Sequence, residues 1–352
     1  MTDPEILFER RGAAGLVTLN RPPALNAVTH TMVRAFAQKL DEWEVDPAVT
    51  RIVVTAAGEK AFSAGGDIRA LTDLGRAGRH QEALSFWHDE YRLNVRIKHY
   101  PKPYVSLIDG IVMGGGVEVS VHGSHRVAGD RYLFAMPEVG IGFFPDVGGT
   151  WFLPRLPGEH GTYLALTGER LRAEDAVAVG IATHRVPSKR IPDLLEGLNG
   201  TVPVDALLGA FSEPPGDTPL VSQRAAIDRF FAADTVEGIL DALDHAAATA
   251  SAEADFARKA AATIRAKSPT SLRLALKQVR TGKTLDFGEC MRTEFRIVSR
   301  IIHGHDFYEG VRAVIVDKDN APRWQPPTLA EVTDADVARH FAPLGAQELV
   351  LA

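Results

Sequence analysis

The pattern of hydrophobic and polar positions opens with two short β-like runs, residues 6–10 and 15–20, on either side of Gly12. A pair of prolines ends the second run, so this segment predicts a hairpin. After it the spacing of apolar residues becomes helical, with Thr29 as the predicted N-terminal cap. The apolar positions of this predicted helix are Met32, Val33, Phe36, Leu40 and Trp43.

Strand-like and helical segments then recur in the same order. Residues 51–55 form a short β-branched run of the length expected for a buried strand. Residues 104–108 predict a second such strand, 109–116 a loop and 117–122 the start of a helix. Repetition of strand, glycine-containing loop and helix favours an α/β fold.

Beyond Arg170 the chain becomes rich in Ala and Leu with helical periodicity, and residues 236–265 are predicted to be helical. A segment rich in Pro and Gly, residues 202–219, predicts a linker or a long loop. From residue 322 a proline-bearing extended tail is predicted. We therefore predict a core over residues 1–200, a helical region over residues 220–327 and a tail over residues 328–352.

Composition excludes several classes of protein. The chain has 352 residues, 45% of them hydrophobic, and a formal net charge of -6, which argues against a nucleic-acid-binding protein. The single cysteine, Cys290, excludes an intrachain disulfide and a Cys-rich metal site. Residues 1–10 show no secretory signal, and no apolar stretch reaches the ~20 residues of a membrane span. These features predict a soluble, cytoplasmic protein with no metal.

Two glycine-rich runs are candidates for anion binding. Ala64, Gly65, Gly66 and Asp67 follow a predicted strand, and three consecutive glycines at 114–116 precede Glu118 at a helix start. Glycine lets backbone N–H groups face a ligand closely, so the two loops are suited to stabilise a thioester enolate or a tetrahedral oxyanion. A tight turn that only connects two elements is an equally weighted alternative for the first run. For the second run, the group that approaches the backbone closely is either a ligand or another strand.

Two carboxylates lie in apolar loops. Glu138 follows the Phe-Ala-Met-Pro run at 134–137, and Asp146 follows Phe-Phe-Pro at 143–145. An apolar environment disfavours ionisation and brings a carboxyl pKa into the range of acid–base catalysis. For Asp146, capping of the next helix is a serious alternative.

A third carboxylate, Glu90, shares a helical face with apolar residues. On a helix around residues 81–98, a 100° step places Glu90 and Asn94 within the arc of Phe86, Trp87, Leu93 and Ile97. This pattern predicts that Glu90 faces the interior, either as a contact that lines a ligand pocket or as the partner of a buried Arg or Lys.

These runs, in this order, resemble the crotonase (enoyl-CoA hydratase/isomerase) superfamily. The glycine loops and Met-Pro-Glu at 136–138 carry the resemblance to the superfamily. Further motifs resemble the 3-hydroxyisobutyryl-CoA hydrolase branch: HGSHRVA at 122–128, FPDVGG at 144–149, LALTG at 164–168, GIATH at 180–184 and GHDFYEGVRA at 304–313. The resemblance extends to about Trp324.

The resemblance implies a spiral of ββα repeats with a C-terminal helical region, often in trimers or hexamers. It implies hydrolysis of an acyl-CoA thioester, 3-hydroxyisobutyryl-CoA of valine catabolism, with CoA as part of the substrate and no separate cofactor. It implies that Gly66 and Gly115 supply the amides of an oxyanion hole and that Glu138 is the reactive carboxylate. It also implies that Asp146 and Glu90 hold the hydroxyl end of the substrate and a water molecule. The substrate-binding residues implied for the CoA moiety are Ala64, Asp67, Arg69 and Lys60.

Glu118 departs from the hydrolase pattern, in which a glycine is common at this position. It precedes Glu138 by 20 residues, the spacing of the two glutamates that hold water in enoyl-CoA hydratases. Enoyl-CoA hydratase activity, a lyase reaction, is therefore the alternative to hydrolysis. A catalytically silent CoA-binding protein is a third possibility, which the presence of Glu138, Asp146 and both glycine loops disfavours.

Overall fold

The computed structural model describes residues 4–351, and the strands of this part of the chain form two sheets. The strands are β1 (Ile6–Arg11), β2 (Ala14–Leu19), β3 (Arg51–Ala56), β4 (Ala61–Ser63), β5 (Tyr104–Ile108), β6 (Ile111–Met113), β7 (His125–Ala128), β8 (Leu133–Ala135) and β9 (His184–Arg185).

The six-stranded sheet has the order β1-β2-β3-β5-β7-β9, and the three-stranded sheet has the order β4-β6-β8. Among the named strands of residues 4–351, only β1 and β2 pair antiparallel, as the predicted hairpin requires. The other strand pairs of the described residues are parallel. Consecutive strands alternate between the sheets: β3, β5 and β7 belong to the larger, and β4, β6 and β8 to the smaller. This alternation is the predicted ββα spiral, and the predicted α/β class is confirmed.

Helices occupy most of the remaining described chain. They are α1 (His30–Val45), α2 (Ile68–Arg76), α3 (His80–Lys98), α4 (Gly115–Glu118), α5 (Gly149–Phe152), α6 (His160–Thr167), α7 (Ala173–Ala178), α8 (Ile191–Leu198), α9 (Val204–Phe211), α10 (Pro219–Ser222), α11 (Arg224–Phe230), α12 (Val236–Ala247), α13 (Ala254–Arg265), α14 (Pro269–Gly282), α15 (Phe287–Ile301), α16 (Asp306–Val311) and α17 (Asp334–Phe341). As predicted, Thr29 caps α1, because its side chain accepts a hydrogen bond from the Met32 amide.

The chain folds into two compact units that are both discontinuous in sequence. The first contains residues 4–67, 89–135 and 170–221, and holds both sheets. Its core includes Leu16, Val53, Val105 and Val127 from the parallel strands, packed against Leu194 and other apolar residues of α8 and α9. The second contains residues 68–88, 136–169 and 222–351 and is helical. The predicted boundaries at residues 200, 220 and 327 stay a prediction, and Ala352 lies outside the described residues.

Several predicted loops contain regular structure. The loop predicted at 109–116 includes β6, whose three residues are too few to show an alternating pattern. The helix predicted over 117–122 is shorter, since α4 ends at Glu118. The segment at 202–219 contains α9, and the predicted tail contains α17, which begins with a reciprocal cap between Thr333 and Asp336. Both helices were missed because the prediction gave more weight to the proline and glycine residues of these segments than to their short helical patterns.

Candidate active site

Two glycine-rich backbone segments approach each other closely in the first unit. A Cβ atom added at Gly115 would lie 2.9 Å from the Gly66 amide nitrogen, and one at Gly116 would lie 2.4 Å from the Ser63 carbonyl oxygen. Gly65 has a φ of 127° and Gly114 a φ of 45°, which side-chain-bearing residues rarely adopt. The run of glycines is therefore required by the contact between the loop after β4 and the loop after β6.

The amide nitrogens of Gly66 and Gly115 are the important groups of this contact. Within residues 4–351, neither N–H donates a hydrogen bond to a protein acceptor, whereas the neighbouring Asp67 amide donates to the Val28 carbonyl at 2.8 Å. Backbone donors that lack a partner are costly unless water or a ligand accepts from them. The structure thus brings together the two predicted oxyanion-hole glycines and leaves both donors available.

Glu118 and Glu90 are the buried carboxylates of the first unit that the sequence singled out. Glu118 ends α4 and is fully buried, and its Oε2 lies 3.3 Å from a Cβ position built on Gly115. Glu90 and Asn94 are buried on α3, as their shared apolar face predicts. Neither polar atom of the Asn94 amide has a hydrogen-bond partner within residues 4–351.

Glu138 is a buried carboxyl of the second unit. It begins a 3₁₀ turn, Glu138–Ile141, directly after Pro137, and its Oε2 has no hydrogen-bond partner within residues 4–351. Burial, followed by the charge of Asp146, raises the pKa of Glu138 well above its ordinary value. A glutamate in this environment is a strong base once it is ionised.

Asp146 is also buried, within the second unit, and its charge acts on Glu138. The next residue, Val147, has a φ of 49°, a left-handed conformation that costs a β-branched residue roughly 1–3 kcal/mol. The N-terminal cap of α5 is Gly148, so Asp146 does not occupy the capping position that was its alternative interpretation. Asp146 and Glu138 therefore interact electrostatically, and the catalytic roles predicted for them stay a prediction.

Glu294 on α15 is a buried carboxyl that the sequence reasoning missed. Its Oε2 accepts a hydrogen bond from the Gly148 amide and its Oε1 one from the Thr150 amide, both at 2.9 Å. Burial, together with the charge of Asp146, raises its pKa from 4.5 to about 8. Helical spacing could have revealed it, because Glu294 is four residues from both Cys290 and Val298 on the buried face of α15.

We expect Glu294 to make the stability of the protein fall with rising pH. Between pH 4.5 and about 8 the folded protein keeps the Glu294 proton and the unfolded chain releases it, so each rise in pH favours unfolding. The Glu294→Gln variant cannot titrate there, and its unfolding free energy should fall less steeply over this range. Denaturant titrations at several pH values measure both slopes, and parallel curves would contradict the assignment.

The residues predicted to contact the CoA moiety are divided between the two units. Asp67 forms an ion pair with Arg21 at 3.1 Å. Lys60 and Arg69 are exposed, and neither forms an ion pair within residues 4–351. Lys60 belongs to the first unit and Arg69 to the second. Their predicted role in phosphate binding stays a prediction.

Residues 4–351 contain no group of three His, Cys, Asp or Glu side chains placed to hold a metal ion. No helix in the same residues has the length and apolar character needed to cross a membrane.

Known proteins similar to this chain match it over almost its full length. A family model described as enoyl-CoA hydratase/isomerase matches residues 14–341. The mitochondrial 3-hydroxyisobutyryl-CoA hydrolase of Danio rerio is 46% identical, over 99% of this chain and 92% of the relative. The human protein of the same name is 42% identical, over 98% of this chain and 90% of the relative.

Solved structures give the same fold. A crystal structure described as a carnitinyl-CoA dehydratase from Mycobacterium thermoresistibile is 44% identical, with a TM-score of 0.93 over 99% of both chains. One described as an enoyl-CoA hydratase from Rhodobacter sphaeroides is 39% identical, with a TM-score of 0.89 over 99% of this chain and 100% of the other. The predicted crotonase fold is confirmed.

The prediction of a cytoplasmic location is wrong, because the 3-hydroxyisobutyryl-CoA hydrolases that match this chain are named as mitochondrial proteins. That prediction relied on composition and on the absence of a secretory signal in residues 1–10, of which 1–3 lie outside the described residues. A mitochondrial transit peptide has a different composition from a secretory signal, so this test did not address it.

Motifs, fold and similarity all agree on the family. The glycine loops and the Met-Pro-Glu run suggested it, the spiral of alternating strands has its topology, and the family model spans most of the chain. The chain belongs to the enoyl-CoA hydratase/isomerase (crotonase) family, in the branch of the 3-hydroxyisobutyryl-CoA hydrolases.

Proposed function

We propose that this protein hydrolyses the thioester of 3-hydroxyisobutyryl-CoA to 3-hydroxyisobutyrate and free CoA. The observation that carries this proposal is the identity of 42–46%, over nearly the whole chain, to relatives named for that activity. In this proposal CoA is part of the substrate, and no further cofactor takes part.

Gly66 and Gly115 supply the oxyanion-hole donors in this proposal. As a nucleophile reaches the thioester carbon, negative charge develops on the carbonyl oxygen, and preorganised N–H groups stabilise it there. The support is that both amides lack a protein acceptor within residues 4–351. The close contact between the two loops holds both amides in place before substrate arrives.

Glu138 is the proposed reactive carboxylate. It attacks the thioester carbon directly or removes a proton from the water that attacks. On either route the C–S bond breaks, and the leaving thiolate takes up a proton to become the free thiol of CoA. On the direct route the acyl group is first held as an anhydride with Glu138, which water then hydrolyses to release 3-hydroxyisobutyrate and regenerate the carboxylate. Its buried position and raised pKa support the role, because a basic carboxylate accepts a proton from water more readily.

Asp146 and Glu90 are proposed to hold the hydroxyl end of the acyl group and a water molecule. Both side chains are buried, so a hydroxyl group or water held by them would be shielded from bulk solvent. Backbone at Ala64 and side chains at Asp67, Arg69 and Lys60 are proposed to contact CoA. We also propose that the chain forms a homo-oligomer, a trimer or a hexamer.

Hydration of an enoyl-CoA is a second candidate function, favoured by one specific feature. Glu118 is fully buried in the first unit beside Gly115, at the sequence spacing from Glu138 that hydratases use. The two solved structures at 39–44% identity also carry the descriptions hydratase and dehydratase. The reaction would be a lyase reaction, with water held by the two glutamates.

Substitutions at Asp146 and Glu118 separate the two reactions. We expect Asp146→Gly to damage thioester hydrolysis more than Glu118→Gly does, because glycine at 118 restores the residue common in the hydrolase branch. Steady-state rates of both variants with 3-hydroxyisobutyryl-CoA and with crotonyl-CoA provide the comparison. Hydrolysis lost in Glu118→Gly and kept in Asp146→Gly would reverse the assignment in favour of hydration.

A further inference from the structure

The segment from Pro145 to Thr150 has a backbone conformation that its own sequence does not favour. Val147 has a φ of 49°, and Gly148, with a φ of 89°, caps α5 without a side chain. A β-branched residue is disfavoured in the left-handed region, so contacts from elsewhere must hold Val147 there. Asp146 is directly attached to this residue, and its direction depends on the same backbone.

Two buried side chains supply those contacts within the second unit. Each oxygen of Glu294 accepts one N–H, from Gly148 and from Thr150, at 2.9 Å. Nε2 of Gln278, on α14, donates to the Pro145 carbonyl and, at 2.7 Å, to Thr150 Oγ1. Both side chains are completely buried.

Together these contacts fix the backbone on either side of Asp146. Pro145 is held by Gln278 on one side, and Gly148 and Thr150 are held by Glu294 on the other. Asp146 and Val147 therefore lie between backbone groups that are hydrogen-bonded to buried side chains on both sides.

We infer that Glu294 and Gln278 are positioning residues that orient Asp146 toward the hydroxyl group of the acyl substrate and thereby set selectivity for hydroxyacyl thioesters. This inference rests on the proposed function, in which Asp146 holds that hydroxyl. The positioning works through hydrogen-bond geometry, which weakens steeply when donor and acceptor are misaligned. A site built to bind a hydroxyl discriminates strongly against an analogue that lacks it.

The test compares kcat/KM for 3-hydroxyisobutyryl-CoA with kcat/KM for isobutyryl-CoA, the same thioester without the hydroxyl. Glu294→Gln keeps the size of the side chain but replaces one acceptor oxygen by an NH₂ group, which faces a backbone N–H. We expect the ratio of the two kcat/KM values to fall by at least about tenfold. The matched control is Glu289→Gln on the same helix, whose carboxylate pairs with Arg292 and Arg296 instead, and the ratio should not change there.

A second variant removes the hydrogen bonds that Gln278 donates to Pro145 and Thr150. Gln278→Met has nearly the same shape but donates no hydrogen bond, and we expect it to lower the ratio as Glu294→Gln does. It also carries the test if Glu294→Gln does not fold. An equal loss of rate with both substrates in these variants would indicate a structural role only and would overturn the inference.

Asp146→Gly distinguishes failure of this inference from failure of the proposed function. If Asp146→Gly loses the preference for the hydroxylated substrate while Glu294→Gln and Gln278→Met keep it, Asp146 retains its role and the positioning role is wrong. If Asp146→Gly itself keeps the preference, the role of Asp146 and the inference that rests on it are both wrong.

Discussion

Glu138→Gln should lower thioester hydrolysis by ~10²–10⁴-fold, the range for loss of a general acid–base group. The amide has the shape of the carboxyl group but cannot attack the thioester carbon or take a proton from water. Because burial raises the pKa of Glu138, the neutral amide also resembles the protonated form of the side chain, and we expect the variant to fold normally. Rates under saturating substrate, with thermal unfolding as the control, measure the effect.

A folded Glu138→Gln protein with near wild-type turnover would remove Glu138 from the reaction. Such a result would make Asp146 the next candidate, because it is a buried acid of the second unit whose charge raises the pKa of Glu138.

Gly115→Pro should reduce turnover by ~10²–10³-fold, the range for the loss of one oxyanion-hole donor. Proline has no N–H, so the change removes one of the two amides that lack a protein acceptor in residues 4–351. A side chain at Gly115 also crowds the Gly66 amide at 2.9 Å. The fall in rate therefore has two causes, which a second variant separates.

The matched control is Gly115→Ala, which adds the same Cβ atom but keeps the N–H. We expect Gly115→Pro to be slower than Gly115→Ala when both are folded, because only proline removes the N–H donor. Equal rates in the two folded variants would show that crowding, and not the amide, matters at this position.

The regular part of the fold was predictable because its signals are local. The hairpin, the cap at Thr29 and the strand at Tyr104–Ile108 follow from alternation, capping chemistry and β-branched runs. The residue pattern did not predict the strands of the second sheet, because strands of three residues such as Ile111–Met113 show no periodicity and are stabilised by parallel neighbours far apart in sequence.

Residues of the candidate site were predictable where their residue type has few structural roles in that sequence context. The glycines at 114–116 were identified because consecutive glycines indicate close backbone contact. Glu138 and Asp146 were identified because an acid in an apolar loop indicates a perturbed carboxyl group. Glu294 was not predicted as part of the site, because it is 146 residues away in sequence from Gly148, whose amide donates a hydrogen bond to it. Only the tertiary structure reveals this contact. The same helical-face test that identified Glu90 applies to it and would have marked it as buried.

The most direct test of the proposed function offers 3-hydroxyisobutyryl-CoA as the only substrate and identifies the product. Hydrolysis breaks the C–S bond and yields free CoA thiol with 3-hydroxyisobutyrate, whereas a hydratase running in reverse removes water and leaves the thioester of methacrylic acid with no free thiol. We expect thiol to appear in equal amount to the substrate consumed. Formation of the unsaturated thioester without release of thiol would contradict the hydrolase assignment.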